Sequence, residues 1–546
     1  MNKLNITMKI QVLLLFAVLT FTSNIYSQVT QNWASVYNGP NNFSDFSTCL
    51  AVDNSGNVYA AGYVYQTNLP IHSDYCIVKY NSTGIRQWVV TYNGDANGTD
   101  IINSIAIDNL GNIYVTGESE SNIGGRDIIT IKYNSDGIQQ WKAVFDGALA
   151  VGEVGIKILL DVSGNVFVGG YVFRGPIATM SDDIVVLKYN SSGVLQWSSF
   201  YNNSGNQEDR LTCMALDSQG NIYAGGHSTA GVLVNDDFVL IKYNSNGQQQ
   251  WVKTYNGLGN DDDNVTSLGV DKQGNVFVTG TSMGTDTYYD YATIKYNPQG
   301  VEQWSARYSF VSNSSDNPVG IVVDTLGNSY VTGTSASYIA TIKYNSSGVE
   351  QWVARNEYGG AYSFVMDNSM NLYITGYSSS NGQECAIIKY NSYGVQKWIT
   401  KYKYNNNNSN TGKEIKIDNS GKIYVTGNTC ATVPNNYDFL TLQYTQEPTN
   451  ITSVGNQIPD KFSLQQNYPN PFNPSTNIEF SVPENSFVNL KVFDITGKQI
   501  EELVNDSFIA GNYKYDFNAK SLPSGTYFYK LETEKFTEIK KMILLK

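Results

Sequence analysis

SIAIDNLGNIYVTG, residues 104–117, and DIITIKYNSDGIQQW, residues 127–141, hold the reading on which the rest of the chain depends. Each stretch alternates apolar and polar residues on both sides of a tight turn, so each predicts a β-hairpin, and two hairpins in series predict a four-stranded unit. The turns have a mechanism. An aspartate or asparagine opens them by accepting backbone N–H bonds from residues ahead, and Gly111 or Gly137 returns the chain through positive φ.

The same pattern recurs with turn aspartates at Asp53, Asp108, Asp161, Asp217, Asp271, Asp324, Asp367 and Asp418. All eight tryptophans belong to it, Trp33, Trp88, Trp141, Trp197, Trp251, Trp304, Trp352 and Trp398, at intervals of 46 to 56 residues, the span of propeller blades. The ends are unequal. Trp33 has no hairpin before it, and the last unit ends at Tyr444 without a tryptophan. Residues 31–37 are therefore expected to supply the outer strand of the last blade and remove an open edge. The fold class expected is all-β: an eight-bladed β-propeller closed by an N-terminal strand.

The units resemble the bacterial β-propeller repeat family, whose members carry D-x-x-G-N-x-Y and D-x-x-x-x-K-Y-x-x-x-G. The likeness covers about residues 31–444 and implies a fold without a reaction. The chain is similar only superficially to the Asp box of sialidases, because the gap from Gly137 to Trp141 is one residue too long.

After Tyr444 the repeat stops. Residues 445–458 read as a linker, and from 459 to 546 come NYPNPFNPSTNIEFSVP, NLKVFDITGKQI, AGNYKYDF and LPSGTYFYKLE, alternating strands broken by Pro, Asn and Gly. This predicts a small β-sandwich. NYPNPFNP, VFDITGK, LPSGTY and the ending KKMILLK closely resemble the type A C-terminal sorting domain of the type IX secretion system of Bacteroidetes-like bacteria. That resemblance implies recognition by the outer-membrane translocon as a partner, then release or attachment at the surface. The beginning of the chain fits: Lys3 and Lys9, the apolar run Ile10–Phe21 and small or polar residues to Ser27 read as a signal peptide, residues 1–27, leaving a propeller from residue 28 to 444. No segment is read as a transmembrane helix, so the protein is expected to be secreted or attached to the outer-membrane surface.

With a net charge of -13, nucleic acid is an unsuitable partner. No cofactor, metal site or catalytic residue is expected. Cys49, Cys76, Cys213, Cys385 and Cys430 lack metal-ligand spacing, and Cys49 and Cys213 read as small buried apolar residues. His72 and His227 read as surface loop residues in different blades. The turn aspartates stand one per turn, too few oxygens for calcium. A second series, Asp74, Asp127, Asp183, Asp237, Asp290, Tyr338, Glu384 and Asp438, opens the third strand of each unit and reads as loop-closing, with neighbouring copies too far apart to share an ion. The KYN lysines, Lys79 to Lys389, are expected to lie solvated, with the tyrosine beside each packed between blades and the tryptophans packed likewise.

In this topology the variable loops share one side. They carry Tyr63, Tyr65, Tyr288, Tyr289 and Tyr291 with Asp261, Asp262 and Asp263, the candidate binding residues, and also Glu118, Glu120, Asp182, Asp209 and Asp236. Aromatic platforms beside carboxylates suit carbohydrate or cation binding, and the partner expected is a glycan or a surface protein. A polysaccharide-active hydrolase or lyase working through Asp261–Asp263, or Glu208 and Asp209, is the alternative. Short loops and a regular repeat favour a non-catalytic binding module.

Overall fold

The computed structural model describes residues 29–546 apart from 69–70, 123–124, 148–151, 175–180, 205–206, 231–234, 286–287, 312–313, 381, 405–408, 431–435, 447–450, 455–457, 485 and 509. Residues 1–27, read as an export signal, lie outside the described residues. Every regular element among those described is a β-strand.

Residues 45–92, 100–145, 153–201, 209–255 and 263–308 each form a four-stranded antiparallel sheet with strands in chain order. Two further four-stranded units fuse into one seven-stranded sheet because Glu350–Met366 runs without a break from the outer strand of one to the inner strand of the next. The intervals between tryptophans are shortest here, and the link is too short to leave extended geometry. In the last sheet Asn410–Ile417, Ile423–Cys430 and Tyr437–Gln446 are joined by Val29–Tyr37, whose residues pair from Val29 with Gln446 to Tyr37 with Phe439.

The turns follow the expected chemistry. Asp108 Oδ1 accepts the N–H groups of Leu110 and Asn112 at 2.9 Å, and Gly111 and Gly137 have φ of 79° and 78°. The motif's tyrosine adds a bond that the sequence did not announce: Tyr114 donates its hydroxyl to Asp108 Oδ2 at 3.0 Å, as Tyr59 and Tyr424 do to Asp53 and Asp418.

The core lies in the seams between consecutive sheets. Tyr59, Ala61 and Ile77 of the first sheet pack with Ile113, Val115 and Ile131 of the second, and Tyr37, Tyr424 and Phe439 of the last pack with Leu50, Val58 and Tyr80 of the first. The KYN tyrosines are buried, from Tyr80 to Tyr444, and each such ring contributes about 2–3 kcal/mol.

The tryptophans act across the seam more specifically than burial alone. Each indole of Trp33, Trp88, Trp141, Trp197, Trp251, Trp304 and Trp352 donates Nε1–H to a carbonyl in the next sheet's third turn: Ser82, Ser135, Ser191, Ser245, Pro298, Ser346 and Ser392. The KYN lysines are not merely solvated, as the sequence suggested. Lys79 Nζ reaches the same Ser135 carbonyl at 2.7 Å while lying 5.2 Å from the Tyr59 ring centroid, and Lys242 and Lys343 repeat the pattern on Pro298 and Ser392. Trp398 differs because the last sheet's outer strand comes from the other end of the chain and offers no such turn; its indole is buried, 4% exposed.

The C-terminal sheets are ordered Ile451–Ser453, Gly511–Asn518, Ser475–Val482, Ser463–Leu464 and Gln499–Phe508, Ser486–Asp494, Gly525–Glu532, Thr537–Leu544. Ile478, Phe480, Leu490, Val492, Tyr529 and Leu531 fill the space between them, a sandwich core. Ile451–Ser453, in the stretch read as linker, already belongs to this unit through pairing with Tyr513–Tyr515.

Candidate functional site

Antiparallel pairing brings the start of each first and third strand and the end of each second and fourth to one side, opposite the tight turns. On that side the structure places a series of acids of which the sequence singled out only Asp209 and Asp263, both as loop residues. Asp45, Asp100, Glu153, Asp209, Asp263 and Asp316 begin the inner strands and are fully buried. Each stands eight residues before its turn aspartate, a constant spacing that could have revealed them. Their task is local: Asp100 and Asp209 accept N–H groups six residues back, from Gly94 at 2.7 Å and Asn203 at 2.9 Å, and so close the link from the preceding sheet.

The third-strand acids are not isolated either. Six of the seven stand against the first-strand acid of the next sheet: Asp74 with Asp100, Asp127 with Glu153, Asp183 with Asp209, Asp237 with Asp263, Asp290 with Asp316, and Asp438 with Asp45, whereas Glu384 precedes a sheet whose first strand begins with Asn410. At the seam where Tyr338 replaces the third-strand acid, Gly359 replaces its partner. Burial raises Asp45 to about 7, with Asp438 adding to the rise against the Gly39 N–H, and burial raises Asp100 to about 6.

A cleft of about 440 Å³ opens beside these seams, lined by Glu120, Arg126, Val154, Tyr171, Phe173 and Arg210 from the second, third and fourth sheets. Arg126 pairs with the buried Glu118 at 2.8 Å. Arg210 pairs with the buried Asp182 and, at 3.4 Å, with the exposed Glu208, and its guanidinium lies 5.2 Å from the Tyr171 ring centroid. Burial pushes Asp182 up and Arg210 opposes it. His227 stands nearby, 3.9 Å from Asp236; burial lowers its pKa with Asp236 resisting, so the imidazole is neutral at pH 7. It is therefore a strand residue with 15% of its side chain exposed, not the surface loop residue expected. The cleft thus offers two aromatic faces and two guanidiniums whose charge is already compensated.

The residues selected from sequence divide into two groups on different sheets. Tyr63 and Tyr65, half-buried, cluster with Phe46 and Tyr437, with ring centroids 5.3 to 5.9 Å apart; burial, then Tyr65, raises Tyr63 to about 12. Around the fifth sheet, exposed Tyr288 and half-buried Tyr289 stand with Asp261 and Asp262, but Asp262 Oδ1 already accepts the Asp236 N–H and Asp261 Oδ1 accepts the Asp262 N–H. Asp263 and Tyr291 are corrections. Asp263 is a first-strand acid holding the Gly257 N–H, and Tyr291, 1% exposed, packs on Tyr308 within a seam. Strand alternation turned both inward, and a loop-by-loop reading did not carry that alternation to its end.

A second site lies in the C-terminal sandwich, where three of its sequence motifs meet. Asn467 Nδ2 donates to Thr476 Oγ1 at 2.9 Å and its N–H to Tyr529 Oη at 2.7 Å. Asn470 Oδ1 accepts the Ile543 N–H, and Phe472 bonds through its backbone to Ile543 and Leu545. Beside them Tyr468 is exposed.

Family models match two parts of the chain: a secretion system C-terminal sorting domain over residues 466–545, and a β-propeller repeat over 89–125, 250–286 and 303–339. No curated protein sequence matches it. Among solved structures it is similar to PorZ, an essential surface component of the type-IX secretion system of Porphyromonas gingivalis, at 11% identity over 92% of this chain and 75% of that one, TM-score 0.32. It is also similar to the Dos1 propeller, at 11% identity over 75% and 95%, TM-score 0.45, and to a family PL25 ulvan lyase, at 13% over 68% and 95%, TM-score 0.36. Likenesses this distant say nothing of ligand or reaction. Among the described residues no helix is long and apolar enough to cross a membrane. With repeat and tail both matched, the chain carries β-propeller repeats followed by a type IX secretion C-terminal sorting domain, which implies export to the cell surface or beyond.

Proposed function

We propose that this protein is a closed eight-bladed β-propeller, exported with the help of a signal peptide at residues 1–27, that works as a non-catalytic binding module for a glycan or a surface protein. Closure is supported by the Val29–Tyr37 pairing and by Trp33, which reaches Ser82 of the first sheet as the tryptophans from Trp88 to Trp352 reach their neighbours. On this reading the propeller occupies residues 28–444, and residues 445–458 lead to the sorting domain at 459–546.

The observation that carries the binding reading is the cleft. Tyr171 and Phe173 present apolar faces, while Arg126 and Arg210 are held by Glu118 and Asp182, so donors are preorganised without net charge. A catalytic carboxylate must exchange a proton freely, whereas Asp182 and Glu208 are both committed to Arg210. The hydrolase or lyase reading draws on one observation, the neutral His227 near that group, which is able to accept a proton. A glycan array and a turnover screen of the secreted protein separate the two. Binding that falls at least about tenfold in Tyr171→Ala and Arg210→Ala, about 1.4 kcal/mol, is expected. Turnover of any polysaccharide that His227→Ala abolishes would replace the binding reading with the enzymatic one.

A further inference from the structure

Three carboxylates meet at the seam between the second and third sheets. Asp127 opens a third strand within Arg126–Tyr133, Asp146 follows the outer strand Gln139–Phe145, and Glu153 begins the inner strand Glu153–Leu160. One oxygen from each lies within 4.8 Å of the others. We propose that Asp127, Asp146 and Glu153 bind a hard divalent cation, calcium by fit.

Close acids alone prove nothing, and the independent observation is Glu153. It is fully buried, and among the described residues neither of its carboxylate oxygens has a partner at hydrogen-bond geometry, the Gly147 N–H lying near without completing a bond. A buried carboxyl group without a partner is costly whether charged or neutral, and beside two further carboxylates it leaves oxygens free to take a cation. This position holds Glu where the other first-strand acids are Asp: its carboxylate still lies against the link at Gly147 and also stands beside Asp127 and Asp146. Burial raises Glu153 to about 8, with Asp127 and Asp146 adding to the rise and only the Gly147 N–H opposing it.

At three other seams a neighbouring side chain holds the third-strand acid, whereas Asp438 is buried with neither oxygen partnered among the described residues. Asp74 accepts a bond from Gln66 at 2.8 Å, Asp183 lies 3.6 Å from Arg174, and Asp290 lies 2.9 Å from Arg307. At this seam Arg126, next to Asp127 in the chain, is turned to Glu118. Calcium takes carboxylate oxygens at about 2.3–2.6 Å, so two ligands on one ion stand up to about 5 Å apart, which the cluster satisfies without rearrangement. Magnesium, with shorter bonds and strict octahedral demands, fits less well. Asp146 is exposed and leaves an entry path.

Isothermal titration of calcium chloride into the chelator-stripped full secreted chain tests this. One site is expected, with Kd of about 10⁻⁴–10⁻³ M, as in extracellular modules, and Tm should rise by about 3 °C at a hundred times Kd. Asp146→Asn, at the exposed rim, should fold and weaken binding at least about tenfold, as should Asp127→Asn, while exposed Asp95→Asn leaves it unchanged. Absence of binding heat and of any Tm shift overturns the proposal. Full affinity in both rim variants overturns it too, as does an equal Tm rise in magnesium chloride or in sodium chloride of matched ionic strength.

Discussion

Gly164 and Gly193 lie in the same sheet with φ of 77° and 79°, yet a side chain at each would meet different surroundings. A Cβ on Gly164 would find nothing nearer than Ser191 Cβ at 3.6 Å, whereas on Gly193 it would stand 2.6 Å from Trp141 Cδ2, the indole of the preceding sheet. Gly164→Ala should therefore cost about 1–2 kcal/mol, the left-handed backbone alone. Gly193→Ala carries the same cost and also forces Trp141 back by roughly 0.8 Å to reach ordinary contact, an overpacking cost of about 1–3 kcal/mol. That movement also weakens the 3.1 Å bond from Trp141 Nε1 to Ser191 O. Urea unfolding of wild type, both glycine variants, Trp141→Ala and the Trp141→Ala/Gly193→Ala double variant measures the difference. Gly193→Ala should be worse than Gly164→Ala by about 1–3 kcal/mol, and the double variant should recover about 1–2 kcal/mol against additivity. Equal costs for the two glycines, or an additive double variant, would refute the role of the tryptophan as a cap on the next sheet's turn.

Deleting residues 28–38 removes Trp33, Val36 and Tyr37 together with the outer strand of the last sheet, and should lower stability by on the order of 5 kcal/mol; an unchanged melt would sink the closure. Asp45 contributes to pH dependence with a definite sign. Its folded pKa, about 7, lies above the ordinary 3.8, so the folded state holds the extra proton and stability falls as pH rises from about 4 to about 7. Asp45→Asn retains an acceptor for the Gly39 N–H and should flatten that part of the curve, gaining on wild type by on the order of 2–4 kcal/mol between pH 5 and 8 in thermal melts, with parallel curves as the contrary result.

Much of the fold was legible because it is local. An aspartate that caps its own turn, a glycine at positive φ and a period of two along each strand act within a few residues, and eight repetitions make the pattern hard to mistake. The lysines show where that legibility ends. Lys79 looks like an ordinary edge charge until the next sheet's Ser135 carbonyl arrives above it. The candidate site was less legible still. Tyr171 and Arg210 come from different sheets and share no motif, so nothing in the linear order joins them, while Tyr291 carried the right chemistry on the wrong face of its strand.

Sequence alone determined the elements, their turns, the unpaired strand at the beginning and the sorting module at the end, because each depends on interactions among near neighbours or on a motif read as a block. Tertiary structure alone decided which acids face one another, which indole covers which glycine, and that Glu153 stands buried with two other carboxylates. Those relations depend on the approach of one sheet to the next, across about fifty residues of chain, and no spacing within a single repeat encodes the distance between two of them.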